Sequence, residues 1–229
     1  MIKGVRKTAW NALHSAASAL GFGIATYRQP ERIETIRAIR ELKASCEMLL
    51  TPLEASQLFS LVRSTSKLGG CMAEVGVFRG ASARLIRQAD MLRPLHLFDT
   101  FEGLPEPAAT DVEIHVGPFE KNEFPCSLEK VRNNLKSCAN VHFHPGLFPA
   151  TGKAVENETF SFVHSDVDLY ASTRSVLEFF YPRLLPGGVI LTHDFATARG
   201  PHKAFTEFFE NLPEPLIELS GDQAMVVKL

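Results

Sequence analysis

From Cys71 to the C-terminus, short apolar runs alternate with stretches of helical periodicity, and this alternation limits the fold more than any other feature. Runs at 71–77, 95–98, 141–143, 160–163 and 189–192 read as strands, and segments at 81–91, 128–135, 172–185 and 202–211 read as helices. Strands and helices taken in turn at this spacing predict a parallel sheet covered on both faces. The end differs. Residues 216–219, then Gly221-Asp222, then 224–227 read as two strands around a tight turn, an antiparallel hairpin closing the sheet. A chain of 229 residues with 45% hydrophobic content is large enough for one such domain with a sizeable core.

Residues 1–50 read as a helical extension in front of a domain spanning 51–229. Lys3, Arg6 and Lys7 precede 9–25, where Trp10, Leu13, Ala16, Ala17 and Leu20 recur at helical spacing. Asn11, His14, Ser15 and Ser18 interrupt the stretch, leaving no clean apolar core for a signal peptide or membrane span. An interfacial helix is open; a helix covering the domain's own edge or another subunit is preferred, and the second case implies a homodimer. A further helix is expected over 31–50. Thr51-Pro52-Leu53-Glu54 then has the chemistry of a helix start: Thr51 to cap, Pro52 in the first turn, Glu54 to complete a capping box. With 24 Lys+Arg against 26 Asp+Glu, no basic excess marks a nucleic-acid surface. The four cysteines form no C-x-x-C pair, which argues against a zinc site or disulfide framework and for reduced thiols in a cytoplasmic protein.

Two constellations carry chemistry. The block F-V-H-S-D-V-D-L-Y at 162–170 and the pair His193-Asp194 put Asp166, Asp168, His193 and Asp194 at the ends of two runs that read as neighbouring strands. Carboxylates gathered at the carboxyl edge of a parallel sheet are hard to explain as packing; they are a common way to hold a divalent cation beside a substrate. The segment E-V-G-V-F-R-G-A-S, Glu74 to Ser82, follows an earlier strand and suits a nucleoside cofactor. Gly76 allows a sharp turn at the strand end, and Gly80 allows close approach at the helix start. A nicotinamide-dependent oxidoreductase also begins this way, but G-V-F-R-G lacks its G-x-G-x-x-G turn. Asp99, just past the second strand, is placed to accept both ribose hydroxyls, with a turn cap as the plainer alternative. His164 is either an outer partner of the cation site or a neutral histidine bonded within the sheet. Tyr170 is expected to pack at the start of the next helix, its hydroxyl toward the acceptor. Residues 103–125, with four prolines and little periodicity, read as a lid.

The order of elements resembles the class I methyltransferase core that binds S-adenosylmethionine. F-D-T-F-E-G-L-P (98–105), V-H-F-H-P-G-L-F-P-A-T (141–151), V-H-S-D-V-D-L-Y-A-S-T (163–173), P-R-L-L-P-G-G-V-I-L-T-H-D-F (182–195) and R-G-P-H-K-A-F (199–205) follow the order of the macrocin O-methyltransferase family. From about Leu50 onward the chain is similar to bacterial members of that family, which methylates sugar hydroxyls on macrolides and aminocoumarins. The resemblance implies a Rossmann-like α/β fold with a mostly parallel seven-stranded sheet. It also implies S-adenosylmethionine, a divalent cation (magnesium first) and a sugar or small-molecule glycoside as acceptor. By position it assigns the cation to Asp166, His193 and Asp194 and the general base to Asp168, and it places Glu74 near the methionine amino group. One departure stands out: where the family has two consecutive aspartates, this chain has His193-Asp194. Three outcomes follow, in order of preference: magnesium on two carboxylates and waters, a softer metal, or His193 as base without metal. A hydrogen-bonded strand-end histidine is the bland alternative. A catalytically silent cofactor-binding scaffold is the second functional reading, disfavoured by the intact Asp166 and Asp168.

Overall fold

The structure, a computed structural model, describes residues 2–19, 29–114 and 117–229. They form two compact units, Met1–Arg37 and Ala38–Leu229. The first holds α1 (Ile2–Ala19) and the start of α2 (Pro30–Ser45). Helix α1 begins before the expected 9–25, and the expected end at 20–25 lies outside the described residues. Helix α2 stops at Ser45, short of the expected 50. There the Leu42 carbonyl takes a last ladder bond from the Cys46 N–H at 2.8 Å and also accepts from the Ser45 hydroxyl at 3.0 Å. The chain leaving it buries Met48 and Leu50.

Helix α3 (Pro52–Ser64) starts as its sequence dictates. The Thr51 side chain accepts from the Glu54 N–H and the Glu54 carboxylate accepts from the Thr51 N–H, a complete capping box. Then follow β1 (Cys71–Val75), α4 (Ala81–Ala89), β2 (Leu95–Asp99), β3 (Val112–Glu113), β4 (Gly117–Pro118), α5 (Leu128–Asn134), β5 (Val141–Pro145), β6 (Phe160–Ser165), α6 (Tyr170–Phe180), β7 (Leu184–Thr192), α7 (Arg199–Phe209), β8 (Ile217–Glu218) and β9 (Ala224–Val227). Seven strands make one sheet in the order β5-β2-β1-β6-β7-β9-β8. The first five run parallel, and β9 is antiparallel to both β7 and β8, the α/β sheet with closing hairpin that the sequence predicts.

Two boundaries moved for a visible reason. The helix expected over 172–185 is α6 alone, followed by a 3-10 turn at Tyr181–Arg183, because Pro182 cannot continue the α ladder. Strand β7 therefore begins at Leu184. The core on one side of the sheet is aromatic: Phe180 meets Phe160 edge-on at 4.8 Å, stacks on Phe148 at 5.4 Å and touches Phe98 at 5.9 Å. Full burial of each such ring stabilises by about 1.5–3 kcal/mol. On the other side, the buried Arg93 guanidinium donates to Ser161 Oγ at 2.6 Å and the Val62 carbonyl at 2.7 Å, tying α3 to β6.

Strand β1 lies where the strand order reverses, with β2 on one side and β6 on the other. Loops leaving neighbouring strands in opposite directions open a crevice at their carboxyl ends.

Candidate active site

Backbone pairing carries on for one residue beyond the strands. The Asp166 N–H donates to the Val75 carbonyl at 2.9 Å, and the His193 N–H to the Ser165 carbonyl at 3.0 Å. Asp166 and His193 thus leave β6 and β7 side by side. Gly76 makes this possible: at φ +85°, a Cβ there would lie 1.7 Å from the Asp166 carbonyl oxygen. Asp168 and Asp194 both sit in the left-handed region, at φ 58° and 56°, which non-glycine residues seldom adopt and which concentrates at functional sites.

One ligand atom each from Asp166, His193 and Asp194 lie within 4.8 Å of one another. His193 Nδ1 is 3.0 Å from Asp194 Oδ2 and 3.6 Å from Asp166 Oδ1. Asp168 completes the group and bonds to Asp194. Burial pushes the Asp166 carboxyl up to about 6 against the pull of His193. Burial, then Asp194 and Asp166, push the Asp168 carboxyl well above the carboxylate range. Burial pulls the His193 imidazolium down, but Asp166, Asp194 and Glu54 outweigh it and hold its pKa up at about 12. Burial raises and His193 lowers Asp194, and the lowering wins. A site with this excess of carboxylate over its single cationic side chain suits a divalent cation.

These groups line one wall of a cavity. Gly76, Val77, Phe78, Arg79 and Ser82 from the β1–α4 loop line another, with Asp99, Leu104, Phe124, Leu147 and the 48–50 stretch around them. Asp99 is held by three backbone donors: Oδ2 accepts from the Val77 and Phe78 N–H groups at 2.6 and 3.1 Å, and Oδ1 from the Phe101 N–H at 2.6 Å. It shapes the β1–α4 loop and keeps lone-pair capacity on Oδ1 for a further donor. Two residues of the cofactor segment lie elsewhere. Glu74 does not line the cavity; fully buried, its Oε1 is 2.9 Å from His164 Nδ1 and its Oε2 has no hydrogen-bond partner. Gly80 also lies off the wall. As the left-handed cap of α4, its missing Cβ makes room for Val131 at 3.0 Å and Leu135 at 3.4 Å on and beside α5. Burial pushes Glu74 up to about 8 and His164 down to about 4, so the pair is neutral, a carboxylic acid against an imidazole inside the sheet. Tyr170 points away from the cavity: its hydroxyl donates to Glu207 at 2.7 Å.

Several site residues are not legible in the sequence. Glu54 reads as a helix cap, yet its carboxylate reaches the Asp222 N–H at 2.9 Å and faces His193 Nε2 at 3.6 Å. Asp222 reads as a turn residue, yet Oδ1 accepts from the Ala196 and Thr197 N–H groups and so holds the loop after His193-Asp194. Phe78 and Phe124, both at positive φ, meet edge-on at 5.9 Å on the cavity wall. The expected lid is anchored: Asp111 accepts from the Tyr170 N–H at 2.7 Å, Ile114 donates to Thr197, and β3–β4 bridges Ala198.

A seven-stranded sheet of this order, with an acidic cluster at the carboxyl ends of β6 and β7 and an aspartate ending β2, defines a class I methyltransferase fold. A sequence profile of the Macrocin-O-methyltransferase (TylF) family matches residues 57–226, and the chain belongs to that family. The 8-demethyl-8-(2,3-dimethoxy-alpha-L-rhamnosyl)-tetracenomycin-C 4'-O-methyltransferase of Streptomyces olivaceus is 34% identical over 139 residues, 56% of this chain and 53% of that protein. The mycinamicin III 3''-O-methyltransferase of Micromonospora griseorubida is 31% identical over 140 residues, 55% of each chain. The chain thus spans about half the length of the curated relatives it matches. The crystal structure of the calicheamicin methyltransferase CalS11 superimposes with a TM-score of 0.67 over 88% of this chain and 94% of that one, at 19% identity, a likeness of fold.

Proposed function

We propose that this protein is an S-adenosylmethionine-dependent O-methyltransferase acting on a hydroxyl of a sugar or glycosylated small molecule, with a divalent cation held by Asp166, His193 and Asp194. The observation that carries this reading is that those three side chains and Asp168 share one cavity with Asp99 and the β1–α4 loop. By their names the Streptomyces olivaceus relative is a 4'-O-methyltransferase of a rhamnosyl-tetracenomycin and the Micromonospora griseorubida relative a 3''-O-methyltransferase of mycinamicin III, which supports the acceptor class.

S-adenosylmethionine would supply the methyl group, lying against Gly76–Arg79 and Ser82 with its ribose at Asp99. A divalent cation at Asp166, His193 and Asp194, magnesium or manganese, would acidify a neighbouring sugar hydroxyl and let Asp168 ionise. The chain's own contributions are positional and acid–base. Asp168 takes the hydroxyl proton; the strained backbone at Asp168 and Asp194 fixes both carboxylates relative to the acceptor oxygen. Phe78, Leu104, Phe124 and Leu147 present an apolar wall that excludes water from the transfer path.

Calorimetric titration with S-adenosylmethionine, with and without Mg²⁺ or Mn²⁺, tests this, together with metal analysis of the purified protein. The expected result is cofactor binding and one divalent ion per chain, the ion lost in Asp166→Ala. No cofactor binding sinks the enzyme reading. Cofactor binding with no turnover of any glycoside leaves a scaffold of the same fold.

A further inference from the structure

We infer that Glu54 is a positioning residue of the cation site, holding His193 in the orientation that presents Nδ1 to Asp166 and Asp194. The inference rests on the reading of that site as a divalent-cation centre. An aspartate at position 193, as in the family pair, would offer an oxygen with no requirement behind it. A histidine has two ring nitrogens, and one used as a ligand leaves an N–H that needs an acceptor; a carboxylate in that place fixes the tautomer and raises the basicity of the ligating nitrogen.

The geometry matches that demand. His193 Nδ1 faces the two aspartates at 3.0 and 3.6 Å. Nε2, on the opposite edge of the ring, is buried without a hydrogen-bond partner, and the carboxylate facing it is Glu54 Oε2 at 3.6 Å. Glu54 is itself immobilised, only 4% exposed. Its Oε2 accepts from the Thr51 N–H and hydroxyl, both at 2.8 Å, and its Oε1 from the Asp222 N–H at 2.9 Å. The hairpin turn is shaped around it: a Cβ on Gly221 would lie 2.6 Å from Glu54 Oε1. A capping box at the surface would satisfy α3 equally well. Burying its acid against His193 is explained by the histidine. The substitution at 193 and the placement of Glu54 are therefore one device, turning an all-oxygen site into a mixed nitrogen–oxygen site. Such a donor set shifts preference from Mg²⁺ toward Mn²⁺.

The test is the affinity of cofactor-free protein for Mn²⁺ and Mg²⁺, measured by calorimetry or by the Mn²⁺ electron-spin signal, with no turnover involved. Glu54→Gln retains the shape and a capping-box residue while removing the charge. It should weaken Mn²⁺ by about 10- to 100-fold, the usual cost of losing such an outer carboxylate, and weaken Mg²⁺ less, narrowing the Mn²⁺/Mg²⁺ ratio. Gln57→Ala is the structural control, since it breaks the α3 bonds to Ser220 and Gln223 without touching Glu54; it should leave the ratio unchanged. Should Glu54→Gln fail to fold, ¹⁵N-histidine spectra of the wild type decide. Added Zn²⁺ should shift Nδ1 of the resonance missing in His193→Asn and leave Nε2 protonated, whereas a metal-shifted Nε2 overturns the inference. Equal Mn²⁺ affinity in wild type and Glu54→Gln also overturns it while the cation site stands. No divalent binding to the wild type removes both.

Discussion

At the scale of single residues, burial governs the site. Glu74 and His164 face each other with no exposure at all, and both are driven to their neutral forms. The sign of the consequence follows. Glu74 titrates near 4.5 in the unfolded chain and at about 8 in the fold, so the native state binds the extra proton in between. Its contribution to stability is fully present below about pH 4.5 and is lost as pH rises through about 8. His164, lowered from 6.5 to about 4, acts oppositely, costing stability as pH falls through that window. Melting temperature followed from pH 4 to 9 should therefore show a loss between about pH 6.5 and 8, where His164 no longer offsets Glu74, that Glu74→Gln abolishes; a variant melting in parallel with the wild type contradicts the assignment. Asp168→Asn keeps a residue tolerant of the left-handed backbone. It should lower kcat by about 10²–10⁴-fold, the span of a lost proton acceptor, with S-adenosylmethionine affinity nearly unchanged. An equal fall in both would make Asp168 a binding residue.

At the scale of elements, starts and stops are local chemistry, whereas what each element holds is not. The Thr51–Glu54 box sets the first turn of α3, and Thr51→Ala should cost about 1 kcal/mol in urea denaturation. The loop at 103–125 is tied down at Asp111, at β3–β4 and through the small cluster of Phe119, Leu169 and Ala198, with Leu104 and Phe124 packed against it. Leu104 and Phe124 also line the cavity. S-adenosylmethionine in the cavity should therefore tighten a loop that is already anchored and slow proteolytic cleavage within 103–125. Cleavage at the same rate with and without it would sever the loop from cofactor binding.

At the scale of the whole Ala38–Leu229 unit, core and cavity share walls. Phe98 and Phe148 line the cavity on one side and pack on Phe180 on the other. Phe180→Ala should cost about 3–5 kcal/mol and weaken cofactor binding as well, read as a shifted denaturation midpoint alongside a raised Kd; unchanged affinity would mean the wall is held from elsewhere. The alternation of apolar runs and helical periods, the closing hairpin, the capping box and the grouping of Asp166, Asp168, His193 and Asp194 were all legible along the chain, because each rests on residues close in sequence or on strand ends that a parallel sheet must align. The end of α2 at Ser45, the Gly80–α5 packing, the turning of Glu74 toward His164, the anchoring of the 103–125 loop and the reach of Glu54 to His193 were not. Each depends on which distant segment fills the space beside a residue. The Glu54–His193 contact spans the sequence from the first helix of the domain to the end of β7, and only closure of the sheet and its hairpin brings those two side chains together.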